Sequence, residues 1–113
     1  MARLNYVELP ANGIAATKSF YEAAFGWTLT EFGPSYAATT TGDTDIGLQA
    51  DRSEAPAAPL PVIEVDNLEA ALAAVEAAGG RITQPIFTFP GGRRFQFRDP
   101  SGNELAVTRT GHR

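Results

Sequence analysis

Arg94, Gln96, Arg98 and Glu104 are residue types that hold an anion or move a proton, and they flank a D-P-S-G-N run that reads as a turn between two strands. Side chains two apart on a strand share a face, so Arg94, Gln96 and Arg98 point one way. If the loop is the five residues Asp99 to Asn103, Arg98 pairs with Glu104, Gln96 with Ala106 and Arg94 with Thr108, and paired residues share a face. Phe95 and Phe97 then occupy the opposite face, against a helix. A four-residue loop inverts the assignment. Arg98 and Glu104 read equally well as a cross-strand ion pair, worth well under about 1 kcal/mol if exposed. Glu8, in "LNYVELP", is a second carboxylate of interest. Facing an apolar wall, such a group has a raised pKa, which suits a general base. Tyr6 shares the face of Glu8, although a lone strand tyrosine is more often a core aromatic than a catalytic acid.

Other chemistries are excluded by composition. The 113 residues contain no cysteine and one histidine, His112, so thiolate catalysis, disulfides and multi-histidine metal sites within one chain are not expected. The net charge of −4 opposes a phosphate backbone, and Arg93, Arg94 and Arg98 form too small a cluster for a nucleic-acid footprint. No apolar run is long enough to span a bilayer, and "MARLNYVELP" lacks the apolar stretch of a signal peptide. A cytoplasmic protein with no nucleic-acid or membrane partner is expected.

The elements that must position these residues come in two sets. "LNYVELP" reads as a strand and "GIAATKSFYEAAFG" as a helix, with Asn12 as N-cap and Gly26 as stop. Strands "WTLTEF", "SYAATTT" and "DIGLQA" follow. After an alanine- and proline-rich linker the order restarts: "LPVIEV", then a helix over "DNLEAALAAVEAAGG" with an Asp66/Glu69 capping box and a Gly79-Gly80 stop, then "RITQPI", "RRFQFR" and "ELAVTR". Laying Ile14 on Leu68 places Tyr21 on Val75, Glu22 on Glu76 and Gly26 on Gly80 without a gap, as an internal repeat would. A single domain over 1–113 is expected, with a first βαβββ module at about 3–52, a linker at about 53–59 and a second module at about 60–109.

"YVELPANGIAATKSFYEAAFGW", "VIEVDNLEAALAAVEAAGG" and "GGRRFQFRDPSGNELAV" together resemble the vicinal oxygen chelate superfamily, the glyoxalase, bleomycin resistance protein and extradiol dioxygenase group. The resemblance implies an α+β fold in which two tandem βαβββ modules form a cupped eight-stranded mixed sheet, with helices outside, a ligand cavity inside and, in many members, a homodimer. Metal-dependent members carry four histidine, glutamine or glutamate ligands. The corresponding positions here are Tyr6, Gly47 (with Gln49 the nearest alternative on its face), Leu60 and Ala106, which supply at most a phenol. No metal cofactor is therefore expected. The alternative, one strand step along, is a hard divalent cation near Glu8, Gln49, Val62 and Glu104.

What the resemblance then implies is a small-molecule-binding protein that sequesters a drug or metabolite. Tyr6, Gln49, Leu60, Val62, Arg94 and Gln96 line its site, and the organic ligand is anionic or aromatic. The polar register of the Arg94 strand suits this, because members that bind small anionic drugs use polar residues there. The competing expectation is a lyase, isomerase or dioxygenase with Glu8 or Glu104 as proton-transfer group or cation ligand.

Overall fold

Alternation in RLNYVELP sends Val7 and Leu9 to one face and Tyr6 and Glu8 to the other, and the segment is a strand, β1 (Arg3–Pro10). The computed structural model describes residues 2–110, so His112 lies outside the described residues. Helix α1 (Ala15–Phe25) follows. Its N-cap is Ile14, with no side-chain capping bond, and not the expected Asn12. Gly13, at φ +96°, separates Asn12 from the helix, and Ile14 is drawn into the core. Gly26 does end the helix, at φ 72°, with its N–H donating to the Glu22 carbonyl at 3.0 Å.

Strands β2 (Thr30–Glu31), β3 (Tyr36–Ala38) and β4 (Asp45–Gln49) complete module 1. The expected strand "WTLTEF" is only two residues long. Leu29 explains this: its side chain is buried and its N–H donates to the Glu22 carboxylate at 3.1 Å, not to a neighbouring strand. The strand order is β2-β3-β4-β1, with β1 and β4 parallel and the other pairs antiparallel. Ile14, Leu29, Ala37 and Leu48 form a core under α1, joined by Leu9, Tyr21 and Ile46. Tyr6 and Glu8 therefore lie on the sheet face turned away from α1.

Module 2 repeats the plan with β5 (Leu60–Glu64), α2 (Leu68–Ala77), β6 (Arg81–Phe89), β7 (Gly92–Arg98) and β8 (Glu104–Thr110), in the order β5-β8-β7-β6. Here β5 and β8 are the parallel pair. The cap of α2 differs from expectation by one residue. Asn67, extended at φ −133°, accepts the Ala70 N–H at 3.0 Å, because helical geometry starts at Leu68 and Asp66 is one residue too early. Glu69 turns instead to Arg93, at 2.8 Å. Leu68, Phe95 and Val107 form the core under α2, with Ile63, Leu72, Val75 and Phe97 around them.

The protein is thus α+β, with two βαβββ modules and eight strands in mixed parallel and antiparallel pairing. It divides into two compact units, one spanning Tyr6–Leu60 and the other running from Pro61 and including the start of β1. Between Ser53 and Pro59 there is no strand or helix. Among the described residues no helix is long and apolar enough to cross a membrane.

Candidate functional site

The turn Asp99 to Asn103 sets the geometry of module 2. Asp99 Oδ1 accepts the N–H groups of Ser101 and Asn103, both at 2.9 Å, and Oδ2 accepts the Asn103 amide at 3.0 Å. These bonds, the Asn103 side chain's first among them, hold the Asp99 carboxyl below its ordinary range. Gly102 takes φ 87°, a left-handed value that suits glycine. The loop is therefore the five-residue one, and Arg98 pairs with Glu104, Gln96 with Ala106 and Arg94 with Thr108, as the five-residue reading expects. Phe95 and Val107 face α2. Arg94, Gln96, Arg98 and Glu104 face away from it.

Arg94, Gln96 and Glu104 are joined in one chain of hydrogen bonds, and Arg98 joins it through an ion pair. Arg94 Nη2 donates to Gln96 Oε1 at 2.9 Å, and Gln96 Nε2 donates to Glu104 Oε2 at 3.0 Å. Glu104 Oε2 also accepts the Thr83 hydroxyl at 2.7 Å, while its other oxygen lies 3.6 Å from Arg98. Guanidinium only donates and carboxylate only accepts, so the Gln96 amide has one possible orientation. The rings of Phe87 and Phe89 lie 5.3 and 5.7 Å from the Arg94 guanidinium carbon, within cation–π range. Neither Thr83 nor these rings was expected here. The register of β6 against β7 slips between Ile82 and Gln84 and again between Gln84 and Phe87, and this brings Thr83 within reach of Glu104. Leu60 and Val62 are buried on β5, and Val62 pairs with Ala106.

Module 1 presents a pair of tyrosines on the corresponding face. Glu8 pairs with Gly47, Tyr6 with Asp45 and Tyr36 with Gln49, so all six share the side away from α1. The hydroxyls of Tyr6 and Tyr36 are hydrogen-bonded to each other. Burial pushes the Tyr6 phenol well above its ordinary value, and Tyr36, Glu8 and Asp45 push the same way. Tyr6 is thus a neutral phenol. Glu8 is only 6% exposed. Gln49 turns its amide oxygen to the Asp51 N–H at 2.9 Å. A Cβ on Gly47 would collide with both tyrosine hydroxyls and stand 2.8 Å from Tyr36 Cζ. Gly47→Ala is accordingly expected to lower stability by about 1–3 kcal/mol and to disturb the tyrosine near-ultraviolet circular dichroism, as overpacking a filled site does.

The two ladders superpose in pattern: Glu8 opposite Gly47 corresponds to Val62 opposite Ala106, and Ala38 beside Gly47 to Gln96 beside Ala106. This doubled βαβββ arrangement is accompanied by a match of residues 3–107 to the profile of the Glyoxalase/Bleomycin resistance protein/Dioxygenase superfamily. The chain belongs to that superfamily.

Solved structures of similar fold include a hypothetical protein from Bacillus halodurans C-125 (TM-score 0.80, 16% identity, 99% of this chain and 96% of that one). Methylmalonyl-CoA epimerase from Mycobacterium tuberculosis is also similar (TM-score 0.77, 15% identity, 96% and 87%). So is the Mn(II)-bound glyoxalase from Novosphingobium aromaticivorans (TM-score 0.70, 22% identity, 96% and 40%). At these identities the likeness is one of fold. No curated protein sequence matches the chain.

At the four positions that the sequence resemblance equates with metal ligands, this chain has a neutral phenol at Tyr6, a glycine at 47 covered by two phenols, and buried aliphatic groups at Leu60 and Ala106. A transition metal needs imidazole, thiolate or carboxylate donors converging on one point, and this set does not fit one. Among the described residues no three histidine, cysteine, aspartate or glutamate side chains gather as a metal site.

Proposed function

We propose that this superfamily member binds a small organic ligand without a transition metal, on the sheet face that module 2 turns away from α2. The observation that carries the reading is the Tyr6–Tyr36 pair closed over Gly47, a position that the sequence resemblance equates with a metal ligand. Arg94 and Gln96 supply charge-assisted and amide hydrogen bonding, Phe87 and Phe89 supply ring faces, and Val62 supplies apolar wall. A drug or metabolite with an acidic or strongly polar group suits that combination, and sequestration is the simplest activity it serves. Elemental analysis of the dialysed protein is expected to find no stoichiometric nickel, zinc, manganese or iron. One metal per chain, lost in Glu8→Ala or Glu104→Ala, would overturn the reading.

A second reading, a metal-independent lyase or isomerase, is favoured by one observation: Glu8 is a nearly fully buried carboxylate beside the neutral Tyr6 phenol. A carboxylate so placed suits proton abstraction next to a carbonyl. Glu104 suits it less, being engaged by Thr83, Gln96 and Arg98. The proposal includes a homodimer, the assembly common in this superfamily. Sedimentation at micromolar concentration is expected to show a dimer, and a monomer there would remove that part of the proposal.

A further inference from the structure

Module 1 has a groove of about 300 Å³ that the proposed ligand site does not use, between the end of α1 and the β3–β4 turn. Its wall includes Trp27, Thr28, Thr41, Thr44 and Asp45. Trp27 belongs to an aromatic cluster. Its ring stacks on Tyr21 at 5.6 Å and 9° and on Phe25 at 5.3 Å and 30°. The Tyr21 and Phe25 centroids are themselves only 6.2 Å apart, too close for the two rings to sit on opposite faces of the indole. Both therefore cover the same side of Trp27, and the residue is 40% exposed.

The polar lining has one sign. Among the lining residues Thr28, Thr41, Thr44 and Asp45 carry side-chain oxygen, and none is a lysine or arginine. The hydroxyls of Thr28, Thr41 and Thr44 make no hydrogen bond among the described residues, whereas Thr39 is engaged by Asp45 and the Ile46 N–H. Asp45 Oδ1 is fixed by Thr39 at 2.7 Å and the Gly42 N–H at 3.0 Å, so the charge cannot swing away. Gly26, the C-cap of α1, also lines the groove and brings the negative end of the helix dipole to it. An exposed indole, a fixed carboxylate and several threonine hydroxyls attract the same kind of group.

From this we infer that the groove is a binding site for an organic ammonium ion, held by cation–π contact with Trp27 and by the Asp45 charge. It shares no residue with the Arg94 site, while Asp45 also pairs with Tyr6 across β4 and β1. The net charge of −4 draws such cations toward the protein.

Trp27 is the chain's single tryptophan, so its emission reports directly on the groove. Titration with tetramethylammonium chloride is expected to change that emission saturably at millimolar concentration, with sodium chloride at equal ionic strength giving no saturable change. Neutral 3,3-dimethyl-1-butanol, of similar shape, should bind about tenfold more weakly. Asp45→Asn keeps an acceptor for Thr39 and Gly42 and should weaken the cation about fivefold. Thr41→Arg, an exposed change that adds a competing cation, should abolish binding with the melting temperature kept. Unsaturable emission, equal binding of the neutral alcohol, or full affinity in either variant would overturn the inference.

Discussion

Phe95→Ala is expected to lower stability by about 3–5 kcal/mol, as truncation of a fully enclosed aromatic does. The side chain has no exposed surface and packs among Leu68 of α2 and Val107 of β8, with the Phe97 ring 6.3 Å away. Truncation removes the residue that joins the helix to the middle of the β8-β7-β6 ladder. Urea unfolding measures the effect, and the expected signature is a lower midpoint with an unchanged slope. A loss below about 1 kcal/mol would mean that the site collapses readily. Ligand binding by folded Phe95→Ala should be preserved, because the ring lies on the opposite face from Arg94 and Gln96.

Arg94→Ala should do the reverse. Benzoate is expected to bind the parent protein better than benzyl alcohol, and the substitution should weaken benzoate by about 1.5–3 kcal/mol, roughly ten- to hundredfold. The guanidinium is held in place by Gln96 and by the Phe87 and Phe89 rings, so a ligand carboxylate meets an ordered, charge-assisted donor. Arg94→Lys should not restore binding, since an ammonium lacks the planar fork and packs poorly on two rings. Calorimetry on the three proteins decides it. Equal affinity for benzoate and benzyl alcohol, or an Arg94→Ala variant that binds benzoate normally, removes Arg94 from the site.

The doubled βαβββ order was legible in the sequence because helical periodicity and strand alternation change at glycine and proline stops that recur in both halves. The pairing of β7 with β8 was legible too, once Asp99 and Gly102 were read as a five-residue loop. Other parts of the candidate site were not. Tyr36 meets Tyr6 only because β3 and β1 flank β4, and the one signal of that meeting was a glycine in the middle of a strand, at 47, where a side chain would be expected. Thr83 reaches Glu104 through a slip in register that no alternation rule writes into "RITQPI". The short β2 likewise depends on a long-range event, the capture of the Leu29 N–H by the Glu22 carboxylate.

That slip on β6 also bears on how the protein behaves when crowded. β6 lies at one end of its module's strand order and carries Pro85 within the second of its two irregularities, while β2, at the end of the other module's order, is only two residues long. A passing extended chain finds no straight row of backbone donors on either strand, so neither offers a template for cross-β growth. The kinks that aim Thr83 at Glu104 thus also act as a guard against amyloid-like stacking.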